Sequence, residues 1–517
     1  MSVFFIRRLA APFALASVAQ CAFATPTVTP VTNKIGGTTT SCATHEVGEF
    51  NGALLFTQSV AHETFADTHA NNVELWRTDG TAAGTKGIKL LGAPTASAYS
   101  RSYGGRVAAN GVFIPVSYGD TSGLGSMGPS TAFFSDGTVA GTLGSTVSVN
   151  SYARLNNRLL LVGYGGFQTT DGTISGTTTY APFPAGTSDA AIVAQDETRA
   201  VVRGFQVNGT QLWLTDGTTA GTRQLTQVGF GLGYSPTDAV IDGDDLYYTS
   251  VFDKTVFQAK LSASTWSAAA LATTPAFDSV GVYAAQGGKL IFSGTEKGKK
   301  AALYLWDGTT NAPLGLPVGI SGFRSTPFGS KLLVASTDVN GNAALYINDF
   351  TATGSTLVVG GGKALSILKV DGQVAYFSFD DGTNGQELWI TDGTKAGTTM
   401  LKDVNPGAKG GLDNVRGGGY AGALNGQRFF VGYDGTQCVL ETFSGPPTAT
   451  TTADAGAPDA STKADASSAG TTPDPSVDAG SNAVPSSGCN IGHQPPTQGA
   501  LLLAGVAGLI LALLRRK

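Results

Sequence analysis

The chain has 517 residues, of which only 13% are charged, and its formal net charge is −5. That balance excludes the clustered basic face by which a protein holds nucleic acid, and an apolar share of 41% excludes a chain disordered throughout. Abundant glycine, at 71 copies, beside many Thr, Val, Tyr and Phe favours short strands and tight turns over helices.

Residues 1–24 read as a secretory signal peptide. Arg7 and Arg8 give the positive region, Leu9 to Val18 the apolar stretch, and Ala22-Phe23-Ala24 the small-residue cleavage pattern. A lipidated Cys21 is the alternative, and Gln20 before it is bulkier than the small residue that reading expects. Residues 25–41 form a lead-in that can donate a closing strand. Of four cysteines, Cys42 and Cys438 bracket the region that follows, so an oxidising compartment invites a disulfide between its ends.

From 42 to 444 one phrase recurs. It is complete at Glu74-Leu75-Trp76-Arg77-Thr78-Asp79-Gly80-Thr81, at Gln211-Leu212-Trp213-Leu214-Thr215-Asp216-Gly217-Thr218 and at Glu387-Leu388-Trp389-Ile390-Thr391-Asp392-Gly393-Thr394. Weaker copies centre on Asp136, Asp171, Trp306-Asp307 and Asp349, and a degenerate one is expected near Lys260 to Trp266. The Glu-Leu-Trp part alternates as a half-buried strand. In the turn, Asp can accept backbone N–H groups and glycine supplies left-handed backbone. Ahead of each copy stands a turn and an apolar run, such as Asn51-Gly52-Ala53-Leu54-Leu55-Phe56 or Asp371-Gly372-Gln373-Val374-Ala375-Tyr376-Phe377; Asn-Gly and Asp-Gly there are hairpin signals.

One unit therefore predicts four antiparallel strands in about 40–45 residues, the size of a β-propeller blade. The expected fold is all-β, a propeller of eight or nine blades with nine units counted; an open β-solenoid is the alternative. The last unit lacks a fourth strand, and Gly36 to Cys42 is the expected substitute, which would set Cys42 beside Cys438. Trp76, Trp213, Trp306 and Trp389 recur at one place in the phrase and are expected to pack between blades.

The complete phrases, with Asp380 to Gln386 before the last and Lys402 to Gly407 after it, resemble the bacterial ELW-x-x-DGT repeat family. The resemblance implies repeat architecture and surface display, without an established reaction.

Residues 445–488 hold Ala, Ser, Thr, Pro, Gly and Asp, with Val477 and Val484 the only larger aliphatics. This composition predicts a solvated stalk spanning roughly 35–40 Å. In 489–517, an apolar run of about 16 residues from Gly499 to Leu514 would make a helix of about 24 Å, short for a ~30 Å hydrocarbon core. Arg515-Arg516-Lys517 after it would remain cytoplasmic. Gly488-Cys489, the helix and the basic end resemble the C-terminal sorting tails of myxobacterial surface proteins. That resemblance implies cleavage near Cys489 by a sortase-like processing protease and display at the cell surface; a permanent membrane anchor is the alternative.

Candidate chemistry is sparse. His62, Glu63, Asp67 and His69 have metal-ligand residue types, but Asp67-Thr68-His69 occupies the place of an ordinary turn. Asp338 to Asn342 starts a calcium loop and does not complete the required spacing. Sialidase-like chemistry would need converging arginines and hub acids, and the arginines hold no repeated position. The sequence assigns no catalytic residue, metal or cofactor. It predicts a non-enzymatic platform for a surface ligand, glycan or protein, with a secreted glycan hydrolase as the alternative.

Overall fold

The computed structural model describes residues 27–32 and most of 42–444. Residues 1–26, 33–41 and 445–517 lie outside the described residues, as do 62–70, 92–97, 102–103, 121–129, 164–165, 182, 185–186, 207–208, 226–235, 251–253, 264–266, 272–275, 317–320, 338–339 and 413–417. The expected signal peptide, the expected stalk, Gly488, Cys489 and the apolar run near the C-terminus therefore fall outside it. Among the described residues no helix is long and apolar enough to cross a membrane.

Nine antiparallel sheets follow one another in a ring, a nine-bladed β-propeller. Blades 1 to 8 occupy 44–90, 98–149, 151–181, 188–224, 236–270, 277–313, 321–362 and 364–402; blade 9 joins 419–444 to 28–32. Eight have four strands, and blade 2 has five because its first strand is in two pieces, Ala98–Arg101 and Arg106–Val107. First strands of successive blades adjoin one another, as at blades 9 and 1 or 5 and 6, and so surround the axis.

Local sequence explains each blade. Asn51 and Gly52, at φ 51° and 68°, make the tight turn from first to second strand in blade 1, and Asn425 and Gly426 repeat it in blade 9 at φ 50° and 77°. Second strands are buried on both faces. Leu54, Leu55 and Phe56, or Leu332, Leu333 and Val334, are all inaccessible or nearly so, because each blade is covered by a neighbour on either side. Hence a continuous apolar run appears where an alternating one would mark a half-exposed strand. Among the described residues the hydrophobic core is nine separate clusters, one at each junction between adjacent blades. Each fully buried Leu, Val or Phe contributes about 1.5–3 kcal/mol to its junction.

Closure comes from the N-terminal lead-in at 25–41, through Val28–Thr32 rather than through Gly36 to Cys42. The fourth strand of blade 9 is Val28–Thr32, paired antiparallel with Cys438–Ser444 in the register Val28↔Phe443, Thr29↔Thr442, Pro30↔Glu441 and Thr32↔Leu440. Pro30 disguises this strand in the sequence, since proline removes a ladder donor; on an outermost strand that N–H would face solvent, and proline is tolerated. Of the expected segment, Gly36 to Ser41 lies outside the described residues. Cys42 is bonded to Cys438 across 396 positions of sequence, and both are buried in the cluster between blades 9 and 1. The ring is thus closed by hydrogen bonds and by a covalent bond, which overturns the open solenoid.

Candidate functional site

The phrase occupies the third strand of its blade and the turn to the fourth. Its turn is one hydrogen-bonded device repeated around the ring. Asp79 Oδ1 accepts from the Thr81 backbone N–H at 2.9 Å and from the Thr81 hydroxyl at 2.7 Å. Thr81 Oγ1 in turn accepts from Gly84 N at 3.0 Å. Thr78 Oγ1 accepts from Gly80 N and meets Thr85 Oγ1 at 2.7 Å. The same Asp bonds recur at Asp136, Asp171, Asp216 and Asp392. The Thr81 side chain and backbone hold the Asp79 carboxyl below its ordinary range, and the Thr138 hydroxyl does the same for Asp136.

Both glycines of the turn have a reason. The first takes positive φ, 90° at Gly80 and 85° at Gly393. The second leaves room for the carboxylate, because a Cβ at Gly397 would lie 2.2 Å from Asp392 Oδ1. Gly397→Ala is therefore expected to lower stability by about 1–3 kcal/mol, the usual cost of overpacking. In an Asp392→Ala background most of that cost should vanish. A double-mutant cycle by urea unfolding checks this, and purely additive losses would show that the carboxylate is not what the glycine accommodates.

The copies at Asp307 and Asp349 and the degenerate copy of blade 5 substitute other groups. Asp307 binds the N–H groups of Thr310 and Thr309, which depress its carboxyl to about 2. At Asp349 the glycine place is taken by Phe350, at φ 59°, whose ring is buried between blades 6 and 7. Thr351 Oγ1 still donates to Asp349 Oδ1 at 2.5 Å. In blade 5 the turn has no aspartate of its own. Asp244, from the hairpin between first and second strands, accepts from Ser262 N and Oγ instead.

Each phrase tryptophan packs against the blade before its own. Trp76 of blade 1 lies with Leu424, Phe429 and Leu440 of blade 9. Trp213 of blade 4 lies among Phe167 and Tyr180 of blade 3 and Phe183 of the connection that follows it. Trp306 meets blade 5 and Trp389 meets blade 7.

The phrase glutamate differs between copies, a distinction the sequence does not reveal. Glu74 Oε2 accepts from Trp76 Nε1 at 2.7 Å. Glu387, fully buried, turns the other way and accepts from Gly411 N at 2.6 Å, Val404 N at 3.0 Å and Asn405 N at 3.3 Å. Trp389 Nε1 is then buried without a hydrogen-bond partner. Burial pushes the Glu387 carboxyl up to about 7, against the opposing pull of the three N–H groups.

Ionisable side chains from blades 8, 9 and 1 meet at the seam, Glu46, Lys369, Asp371 and Tyr420 on first strands around the axis and Tyr376 and Arg428 on second strands. Lys369 of blade 8 reaches past the first strand of blade 9, Gly419–Leu424, and bonds Glu46 of blade 1 at 2.6 Å. On the way its Nζ lies 5.6 Å from the centre of the Tyr420 ring, a cation–π distance. Tyr420 stacks on Tyr376 with centroids 5.8 Å apart. Arg428 of blade 9 pairs with Asp371 at the end of the first strand of blade 8. Burial drives the Tyr376 hydroxyl up to about 12 and raises that of Tyr420 as well, while burial lowers His45 to about 4. Near neutral pH the phenols and the imidazole are uncharged, so the chemistry on offer here is ion pairing and stacking. Lys369→Met leaves Glu46 half-buried without its cation. It should cost about 1–2 kcal/mol, between the limits for exposed and buried pairs, read as a lower urea midpoint at unchanged slope.

Other arginines are held at blade contacts. Arg199 pairs with Asp196 and reaches the Gly243 carbonyl of blade 5; Arg223 donates to the Leu261 and Ala263 carbonyls. Arg106 lies over the Tyr152 ring of blade 3. His62, Glu63, Asp67 and His69, and Asp338 with Val339, lie outside the described residues.

No family model matches the chain, and no curated protein does. Solved structures of similar form include prolyl oligopeptidase B from Galerina marginata, at 10% identity and a TM-score of 0.44, covering 76% of this chain and 55% of that one. An acylaminoacyl peptidase of Pyrococcus horikoshii matches at 13% identity and a TM-score of 0.35, covering 59% of this chain and 52% of its own. TolB from Acinetobacter baumannii matches at 14% identity and a TM-score of 0.29, covering 61% and 81%. This chain spans about half the length of the two peptidases.

Proposed function

We propose that the protein is a secreted, surface-displayed propeller that binds a glycan or protein ligand without transforming it. One observation carries the reading: the side chains that recur around the ring are engaged internally. The phrase aspartates bind their own turns and the tryptophans fill blade junctions; Arg199, Arg223 and Arg428, which hold no repeated place, are likewise engaged in tying neighbouring blades together. What varies from blade to blade is the loops, and loops on a rigid scaffold are where binding residues collect. The signal peptide at 1–24, the stalk at 445–488 and the tail at 489–517 support display outside the cytoplasm, with processing at Gly488-Cys489.

The test is a glycan and polysaccharide panel on purified residues 25–444, scored for retention and for released sugar. Retention without release is the expected result. Release that disappears on Glu46→Gln, an acid beside the axis, would make the protein a glycan hydrolase and overturn the reading.

A further inference from the structure

The strand that closes the ring is thinly held. Val28–Thr32 has only five residues. Its pairing shifts between Pro30 and Thr32, and Pro30 has no N–H to give. Thr29 and Pro30 are exposed, while Val28 and Val31 lean, half-buried, on the adjoining clusters. Ordering five residues carries an entropic cost that so little apolar contact offsets poorly.

What the strand covers is also costly to cover. Glu441, directly opposite Pro30 in the ladder, is 3% exposed. One of its oxygens pairs with Lys402 of blade 8, while Oε2 is buried with no hydrogen-bond partner. A half-satisfied buried carboxylate favours any opening that lets water in. Opposed to this is the Cys42–Cys438 bond. Cys438 is the first residue of the strand on which Val28–Thr32 docks, and Thr32 pairs only two positions further on, at Leu440. The bond thereby holds the N-terminal arm beside its docking edge at high effective concentration.

We propose that this disulfide is a redox-controlled latch: its reduction releases Val28–Thr32 from Cys438–Ser444 and leaves blade 9 with an open strand edge, while the other eight blades stay folded. The reductant is a dithiol. Its thiolate attacks one sulfur, the protein S–S bond breaks, and a mixed disulfide forms. Its second thiol then displaces the protein sulfur. Cys42 and Cys438 end as thiols carrying the two protons of the reductant, which leaves as its own cyclic disulfide. Both sulfurs are buried, so the exchange proceeds through momentary opening of the seam.

Amide hydrogen exchange on the full chain, with and without dithiothreitol, tests the latch. Exchange at Val28–Thr32 and Cys438–Ser444 should accelerate between about 30- and 1,000-fold on reduction, the span that corresponds to a typical disulfide contribution. Exchange at Lys289–Glu296 of blade 6 should be unchanged, and protection at the seam should return on reoxidation. Unchanged exchange at 438–444 would overturn the proposal. So would equal acceleration in every blade, which would make the bond a support of the whole ring.

Discussion

Replacing Glu387 with alanine should lower the stability of the ring by about 3–5 kcal/mol. The substitution leaves the N–H groups of Val404, Asn405 and Gly411 facing a cavity where a carboxylate now accepts from all three, and each buried unsatisfied donor costs about 1–3 kcal/mol. Glu387→Gln separates shape from charge. The folded-state carboxyl, pushed up to about 7 by burial from an ordinary 4.5, binds its proton more tightly than the unfolded chain does. Its contribution is therefore fully present below the unfolded value and is lost as pH rises through the folded one. Wild-type stability should fall between about pH 4.5 and 7, by on the order of 2–3 kcal/mol at one group. That part of the pH profile should be absent in Glu387→Gln. Urea unfolding at half-unit pH intervals measures it, and a profile shared by both proteins would show that the carboxylate ionises freely in the folded state.

Gly111→Val is expected to be as severe. Here the turn between the first and second strands of blade 2 docks on the phrase turn of blade 3: Asn110 N donates to the Asp171 carbonyl and Asn110 Nδ2 to Asp171 Oδ2, both at 2.8 Å. Gly111 and Gly172 pass so closely that a Cβ on either would lie 2.4 Å from the carbonyl oxygen of the other. Neither obstacle is a side chain that can rotate away, and Gly172 sits at φ 96° besides. Two backbones must separate, and the junction between blades 2 and 3 opens with them. The expected loss is about 3 kcal/mol or more, detected as a lower thermal midpoint with faster proteolysis near 110 and 172. A variant as stable as the parent would mean that the two turns do not need this contact.

The parts of the fold that depend on local chemistry were legible in the sequence. Asn-Gly turns, continuous apolar second strands and the spacing of the Asp-Gly-Thr turn each follow from neighbours along the chain, and together they give nine blades. The junctions were legible only through the tryptophans, because large aromatics at one repeated place must bury against something. Closure was half-legible. Cys42 and Cys438 mark the two ends, but the strand that pairs there carries a proline and stands ten positions earlier than its cysteine suggests. The seam was silent. Glu46, Lys369 and Tyr420 belong to no motif, Asp371 was read only as part of a hairpin turn, and only the ring brings Lys369 and Glu46, far apart in sequence, within 2.6 Å. Glu387 shows the same limit at close range, since its phrase is identical in type to that of Glu74 and its hydrogen bonds are entirely different.

The direction in which the tryptophans face has a consequence for a chain made from its N-terminus onward. Trp213, Trp306 and Trp389 each lean on a blade that has already been synthesised, so each new blade finds its template waiting. Trp76 alone among these four leans on blade 9, the last to be made. The first blade therefore waits through the synthesis of seven others with one aromatic flank uncovered. The burial of Trp76 is the event that separates a growing row of blades from a finished ring.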